Sequence, residues 1–270
     1  MIRKQKELED MIAKRIDKHA LDIGRTSGKA RRRMAAYLLS ELQKLDKAKN
    51  PEVRARNLQT MTKSVLTKLT AAGYDQIADE LATYHRQTEE TRKDYYDEFG
   101  VSPDDIDLSR LDTIRKQAVN NVYTGKLLLA ADLKGLLKKY ESGKMDFKAV
   151  TNQIQQSLNT AQNRAFTIAN TSIAACDRAT NYAIGEESGV ESWTYMGGII
   201  KQTRPFCRAI MEGRNPNTGE AHQNKWKTKE IRELDNGQGL PVMENAGGYN
   251  CRHSWVPDLT DLTNNKGRER

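Results

Sequence analysis

Through most of the chain, apolar residues recur at three- and four-residue steps, the period of one face of an α-helix. Leu8, Ile12, Ile16 and Ala20 form a first stripe, ahead of Gly24. Met34, Tyr37, Leu38, Leu42 and Leu45 form the next, ahead of Asn50-Pro51, and Leu58, Met61, Val65 and Leu69 a third, which Gly73 stops. From Asp75 to Asp112 acids outnumber bases, with Tyr84, Tyr95, Tyr96 and Phe99 interleaved and a break at Gly100 and Pro103. Ser102-Pro103-Asp104-Asp105 has the order of a helix start: a Ser cap, Pro at the first position and acids in the first turn. The helical pattern resumes from Leu111 to Tyr140, with Gly125 and Gly135 as weak points, and Ser142-Gly143 ends it. Asp146 then caps a helix with Phe147, Val150, Ile154 and Leu158 on one face. Beyond it Ala161, Ala165, Ala169, Ser172, Cys176, Ala179 and Ala183 make a small-residue face. Such a face lets two helices approach closely and predicts a central packing helix.

The period changes after Gly185 and Gly189. Ser192–Met196 and Ile199–Gln202 flank Gly197-Gly198 and predict a β-hairpin. A turn-rich loop covers Gly213–Gly219, one short amphipathic helix Lys227–Leu234, and a last strand Tyr249–Val256. The expected fold class is mainly α: an elongated helical N-terminal region, then a small α+β C-terminal module with a β-hairpin and short strands. The expected division is a basic-then-acidic helical region over 1–100 and a helical domain with the packing helix over 101–189. A compact Cys/His module over 190–258 and a disordered polar tail over 259–270 complete it.

Composition sharpens this picture. The chain is 37% hydrophobic, 6% aromatic and 30% charged, with mean hydropathy −0.79, which suits long exposed helices with narrow buried stripes. A formal charge of +8 favours polyanions, nucleic acid above all. The densest positive run gives Lys29, Arg31, Arg32 and Arg33 as candidate phosphate contacts, since clustered guanidinium groups meet phosphate oxygens in fork geometry. The plain alternative is a solvated helix start. Asp94, Asp97, Glu98, Asp104, Asp105 and Asp107 lack the order of a calcium loop and read as helix caps and linker, or as an acidic belt between chains of an oligomer. The N-terminus has no signal-peptide core, and Leu127–Ala131 is far too short to span a bilayer. Three scattered cysteines do not make a secreted disulfide framework, so a cytoplasmic protein is expected.

The chemistry concentrates between Thr203 and Trp255. Cys251 and His253 are two apart, so on an extended strand they share a side. With Cys207 opposite they supply three ligands for tetrahedral zinc, and His222 a fourth. A Cys207–Cys251 disulfide also explains the pair, though a reducing cytoplasm disfavours it. The plainest reading is two buried thiols and a hydrogen-bonded His in a small core, and Cys176 on its small-residue face reads as a buried hydrophobe. A Cys207 nucleophile with His253 as base, its thiol acidified by Arg204, Arg208 and Arg252, is a catalytic alternative. So is a metal-dependent nuclease using His222 or His253 beside Asn250. The sequence carries no helix-borne metal motif, phosphate loop or paired-carboxylate pattern in support, and a non-enzymatic protein is expected.

Thr203-Arg204-Pro205-Phe206-Cys207-Arg208-Ala209, with the later Gly247-Gly248-Tyr249-Asn250-Cys251-Arg252-His253-Ser254-Trp255, resembles the signature of the phage head morphogenesis family, the Mu F-like minor head proteins of tailed bacteriophages. Arg164–Thr171, through Gly189 and Trp193, also resembles that family's helix and hairpin approach to its Cys motif. The likeness covers roughly residues 110–258, and its specific part is the two Cys motifs. It implies a minor structural protein of the virion, associated with the portal or inner capsid and multi-copy or oligomeric in the particle. Such a protein acts in head assembly, DNA packaging or delivery, with nonspecific contact to viral double-stranded DNA. It implies a place in the head interior or portal region, the host cytoplasm during assembly, and no membrane partner before any ejection. Many relatives carry a Cys pair at the first motif and His-Pro-x-Cys-Arg-Cys at the second, a set suited to zinc. Here Arg204 with a single Cys207, and Cys251-Arg252-His253, make a thinner set, so the expectation is no cofactor or one structural zinc. Arg204, Cys207, Cys251, His253 and Trp255 are the residues expected to hold the module together. Two rival functions stand beside this one: a metal-dependent DNA-processing enzyme with a nuclease-like Cys/His module, and a transient assembly adaptor absent from mature particles.

Overall fold

A computed structural model describes residues 2–103 and 106–260, the side chains of Ile2 and Arg110 excepted. The protein is mainly α, with a small α+β module at the C-terminal end, as the periodicity predicts. Five long helices come first: α1 (Ile2–Asp46), α2 (Pro51–Ala72), α3 (Tyr74–Asp97), α4 (Ser109–Glu141) and α5 (Phe147–Glu187). The module follows as β1 (Ser192–Met196), α6 (Pro205–Met211), β2 (Trp226–Lys227), α7 (Thr228–Glu233), α8 (Val242–Asn245) and β3 (Ser254–Pro257). Among the described residues no helix is long and apolar enough to cross a membrane.

Local chemistry explains both ends of α2. Asn50 caps α2 by accepting from the Glu52 and Val53 N–H groups, Pro51 opens it, and Gly73 closes it in the left-handed region at φ 104°. Gly24 does not end the first helix, contrary to expectation. A Cβ there would lie 3.1 Å from the Phe166 ring, so the missing side chain makes room for α5 while α1 runs on. The expected helix start at Ser102-Pro103 falls partly on Asp104 and Asp105, outside the described residues. Ile106–Leu108 is not helical, and α4 opens at Ser109, whose N–H donates to the Asp107 carboxylate. The Phe147 stripe and the small-residue face belong to one helix of 41 residues.

The chain forms two compact units, described here over their described residues. The first comprises Met1–His19, Thr83–Lys116 and Asn170–Arg270, and the second Ala20–Ala82 and Gln117–Ala169. The helices α1, α3, α4 and α5 lend residues to both, so these units cut across the contiguous division read from the sequence. The second unit is a helical bundle whose core includes Leu38, Leu42, Val65, Leu69, Leu133 and Leu158, all fully buried.

In the first unit, three antiparallel strands lie in the order β2-β1-β3. Trp193 pairs with Trp226, and Tyr195 with Trp255. These four rings are buried and form the centre of the module. The expected hairpin is absent. β1 is the central strand, with β3 on one edge, while β2 and the Asn224 side chain take the other. Asn224 accepts from the Tyr195 N–H at 3.0 Å and donates to its carbonyl at 2.8 Å. With both edges occupied, Ile199–Gln202 has nothing to pair with and forms an exposed turn. The last strand is also shorter than expected, because Ala246–Cys251 is folded into tight turns.

Arg92 of α3 is fully buried in this unit and holds two carboxylates. It donates to Glu9 of α1 at 2.6 and 3.2 Å and to Asp177 of α5 at 3.0 and 2.8 Å. Burial pushes the Glu9 carboxyl above its ordinary range against the pull of Arg92. Nearby His85 is buried, with Nε2 3.1 Å from the Ser172 hydroxyl. Burial, helped by the positive charge of Arg115, pushes its imidazole down to about 4.

A histidine held neutral in the fold and free to protonate when unfolded favours the unfolded chain in acid. Its contribution is complete above the unfolded value of about 6.5 and is lost as pH falls towards about 4. Wild-type protein is therefore expected to lose about 2 kcal/mol from this group between pH 7 and pH 5. His85→Gln should lack that part of the slope, as urea unfolding at the two pH values would show. An unchanged slope would remove His85 from the acid response.

Candidate functional site

Two backbone features bring the module's chemistry together. Arg204 in extended conformation and Pro205 at the first position start α6, which turns Phe206, Cys207 and Ile210 inward. On the other side, the chain leaves α8 through Ala246 at φ 48° and reaches Cys251 after Asn250 at φ 56°, two non-glycine residues in the left-handed region. Between them, Gly247 passes directly beneath the sulfurs. A Cβ at Gly247 would overlap Cys207 Sγ and stand 3.3 Å from Cys251 Sγ, so the close approach requires glycine.

Cys207, Cys251 and His253 are 2%, 5% and 6% exposed. Their ligand atoms all lie within 4.8 Å of one another. The two Sγ atoms are 3.6 Å apart, and Cys251 Sγ is 3.6 Å from His253 Nδ1. Tetrahedral zinc, with bonds of about 2.3 Å to sulfur and about 2.05 Å to nitrogen, sets these edges at about 3.8 and about 3.6 Å. Two edges of the triangle therefore already fit such an ion. A disulfide requires about 2.05 Å, and both cysteines are free thiols in this structure.

Tyr195 completes the cluster. Its hydroxyl donates to Cys207 Sγ at 3.3 Å and lies 3.9 Å from Cys251 Sγ, closing a fourth side. Its ring stacks parallel to His253, with centroids 5.3 Å apart. Sequence reasoning did not single it out, although Trp193 and Tyr195 alternate on β1 as inward-facing residues must. His253 Nε2 is buried with no partner.

The sulfurs differ in proton affinity. The Cys207 S–H bond to Cys251 is the largest influence on both: it drives the Cys251 thiol down to about 3 and Cys207 above its usual range. Burial raises both, while His253 and Arg178 add to the lowering at Cys251. The pair thus favours the proton on Cys207 over Cys251, whose sulfur also accepts from the Gly247 N–H at 3.3 Å. Cys207, the nucleophile of the catalytic alternative, is the less acidic of the two.

Arg178 of α5, 2% exposed, organises the approach to this cluster. It donates to the carbonyls of Glu244 at 2.7 Å, Cys251 at 3.2 Å and His253 at 3.0 Å, and so fixes α8 and the segment before β3 together. Nothing in the sequence marks it, since its acceptors are backbone atoms 66 to 75 residues away.

The other expected residues are distributed as follows. Trp255 is buried against Tyr195 and donates to the Val242 carbonyl at 3.2 Å. Arg204 is half-buried at the start of α6, and its charge favours the Cys207 thiolate. Arg252 points away to Asp17 at 3.4 Å. His222 is not brought to the cluster. Its ring lies flat on Trp226, centroids 3.6 Å apart, and its Nδ1 meets the Gln223 carbonyl. Asn250 is taken up by Asn170, which donates to its side chain at 3.0 Å. A cavity of about 750 Å³ between α1 and the sheet face of Thr194, Met196 and Val256 reaches Cys251.

Lys29, Arg31, Arg32 and Arg33 lie in the second unit, midway along α1 rather than at a helix start. Arg31 is half-buried and donates to Asn159 at 2.6 Å. Lys29, Arg32 and Arg33 are exposed, and Lys29 and Arg33 line a cavity of about 190 Å³ beside the end of α2.

Gly247→Ala is expected to cost at least about 2 kcal/mol in urea unfolding, because backbone and sulfur cannot both keep their places. Gly135→Ala, in open space on α4, should be neutral or stabilising by up to about 1 kcal/mol. Equal behaviour of the two variants would mean the sulfur cluster yields easily. Comparison with known protein families, with curated proteins and with solved structures finds no match to this chain.

Proposed function

We propose that this chain is a non-enzymatic minor structural protein of a tailed-phage head, associated with the portal or inner capsid, whose C-terminal module is tied by one structural zinc. The observation that carries the zinc is the Cys207, Cys251 and His253 triangle, pre-shaped to tetrahedral edges and enclosed by Tyr195 and Gly247. Three protein ligands leave the fourth position of a tetrahedral ion to water or to the Tyr195 hydroxyl beside the sulfurs, and the ion would contribute directly to the stability of a small module. The virion assignment rests on the resemblance of the two Cys motifs to the Mu F-like signature. Exposed Lys29, Arg32 and Arg33, within a net charge of +8, suit nonspecific contact with the phosphates of packaged double-stranded DNA.

A second reading, a metal-dependent DNA-processing enzyme, draws on the cavity of about 750 Å³ that reaches Cys251. Nicking of plasmid DNA that disappears in His253→Ala would favour it over the structural reading.

Elemental analysis of the purified chain should find one zinc per molecule, retained in His222→Ala and lost, with a lower melting temperature, in Cys251→Ser. A metal-free chain of unchanged stability from zinc-supplemented cells would leave a plain thiol core instead. Quantitative mass spectrometry of mature particles of the parent phage should find a few copies of the chain per particle. Loss on genome release would make it an ejected protein, and absence from particles would make it an assembly adaptor.

A further inference from the structure

The turn that replaces the expected hairpin has a chemistry of its own. From Ser192 to Met211 the chain has no acidic residue, while Lys201, Arg204 and Arg208 supply three cations. Within this segment Gly197 to Gln202 is exposed without interruption. Ile199 and Ile200 are 45% and 62% exposed, and Ile200 is the most exposed large hydrophobic side chain among the described residues.

This turn is held in shape. The Ile200 N–H donates to the Thr203 hydroxyl at 2.7 Å, and the Thr203 N–H donates back to the Ile200 carbonyl at 3.0 Å. Arg208, reaching from α6, donates to the same carbonyl at 3.1 Å. Three hydrogen bonds thus fix a turn whose two branched aliphatic side chains point into water. A pre-organised apolar tip loses little conformational freedom when a partner covers it. Lys201 makes no ion pair among the described residues and follows directly behind the tip, with half-buried Arg204 further back; Arg208 faces Glu212, the first acid past the segment, at 3.8 Å.

We propose that this turn docks on the surface of an anionic lipid bilayer, with Ile199 and Ile200 entering the interface, Lys201 and Arg204 meeting lipid phosphates and Arg208 holding the turn in shape. The order of groups favours this surface over nucleic acid. Phosphate backbones reward cations at the front of a contact, whereas here aliphatic groups lead and cations trail, the arrangement of interfacial anchors. Size argues against a protein partner. Two side chains cover far less than the 1,200–2,000 Å², roughly, that a stable protein interface buries. A bilayer needs no matching shape and adds attraction for every cation nearby.

The test is cosedimentation of the full chain with vesicles of phosphatidylcholine alone or mixed with phosphatidylglycerol, at low and high salt. Binding is expected to the phosphatidylglycerol vesicles at low salt, weakened by high salt and by Lys201→Glu. The double variant I199S/I200S should bind about tenfold more weakly while keeping its helical spectrum and melting temperature, since both residues are exposed. K29E/R32E on α1 should bind as wild type does. Absence of binding to any vesicle would overturn the proposal and leave the turn to a protein partner. Binding undiminished in I199S/I200S, or abolished only in K29E/R32E, would overturn it too, because charge elsewhere would then be responsible.

Discussion

The buried guanidinium of Arg92 constrains the first unit more than any other group. A charge removed from water is tolerated only when its hydrogen-bonding capacity is met by opposite charge, and here Glu9 and Asp177 meet it from two other helices. The net stabilisation from such a network is small, because desolvation offsets most of the attraction. Its leverage lies in what happens when it is mismatched, since an orphaned buried charge costs about 3–5 kcal/mol. The arrangement is also periodic. Arg92 and Tyr96, four apart on α3, face Asp177 and Asn181, four apart on α5. A slip of one helical turn would leave Asp177 without its cation and set Arg92 against a neutral amide. The pair of contacts therefore specifies register as well as proximity.

That register fixes the module. Asp177 faces Arg92, and its neighbour Arg178 gathers the carbonyls of Glu244, Cys251 and His253. Asn181 accepts from Tyr96 and donates to the Trp255 carbonyl at 2.7 Å on the outer edge of β3. One turn further on, Gly185 leaves room for the Trp193 ring, which a Cβ would approach to 2.5 Å. Three consecutive turns of α5 thus carry an ion pair, an edge cap for β3 and a seat for the central strand. The sulfur cluster sits at the end of this chain of dependence. Its members come from α6 and from the segment before β3, and neither is long enough to be stable alone.

The same dependence explains what the sequence shows and what it conceals. Stripes at Leu58, Met61, Val65 and Leu69, or at Val150, Ile154 and Leu158, are local, and they lead directly to α2 and α5. Asn50-Pro51 and Gly73 are local as well and mark both ends of α2. Gly24 misleads because its meaning lies in Phe166, far along the chain, and the hairpin misleads because β1 finds its partners at Trp226 and Trp255. The candidates Cys207, Cys251 and His253 can be read from residue type, but the strand assumed to put Cys251 and His253 on one side begins only at Ser254, and tight turns and Arg178 bring them together instead. His222 is a ligand only by composition, and stacking on Trp226 claims its ring instead. Arg92 and Arg178 are invisible in sequence, since a lone arginine on a charged helix looks like any solvated one until its acceptors are placed.

Charge shows the same contrast between composition and placement. A net +8 suggests one diffuse attraction for polyanions, yet the cations divide by what surrounds them. Arg92 and Arg178 are spent internally on carboxylates and carbonyls. On α1, Arg31 is bound to Asn159, while Lys29, Arg32 and Arg33 are exposed, Arg33 also donating to the Ala72 carbonyl at 3.5 Å, and suit phosphate oxygens. Around Ile199 and Ile200 the cations stand behind apolar groups and suit a surface that is both anionic and greasy. Added salt weakens both kinds of contact, so salt dependence alone does not separate them. Removing the aliphatic tip does, because only one of the two contacts gains anything from burying it.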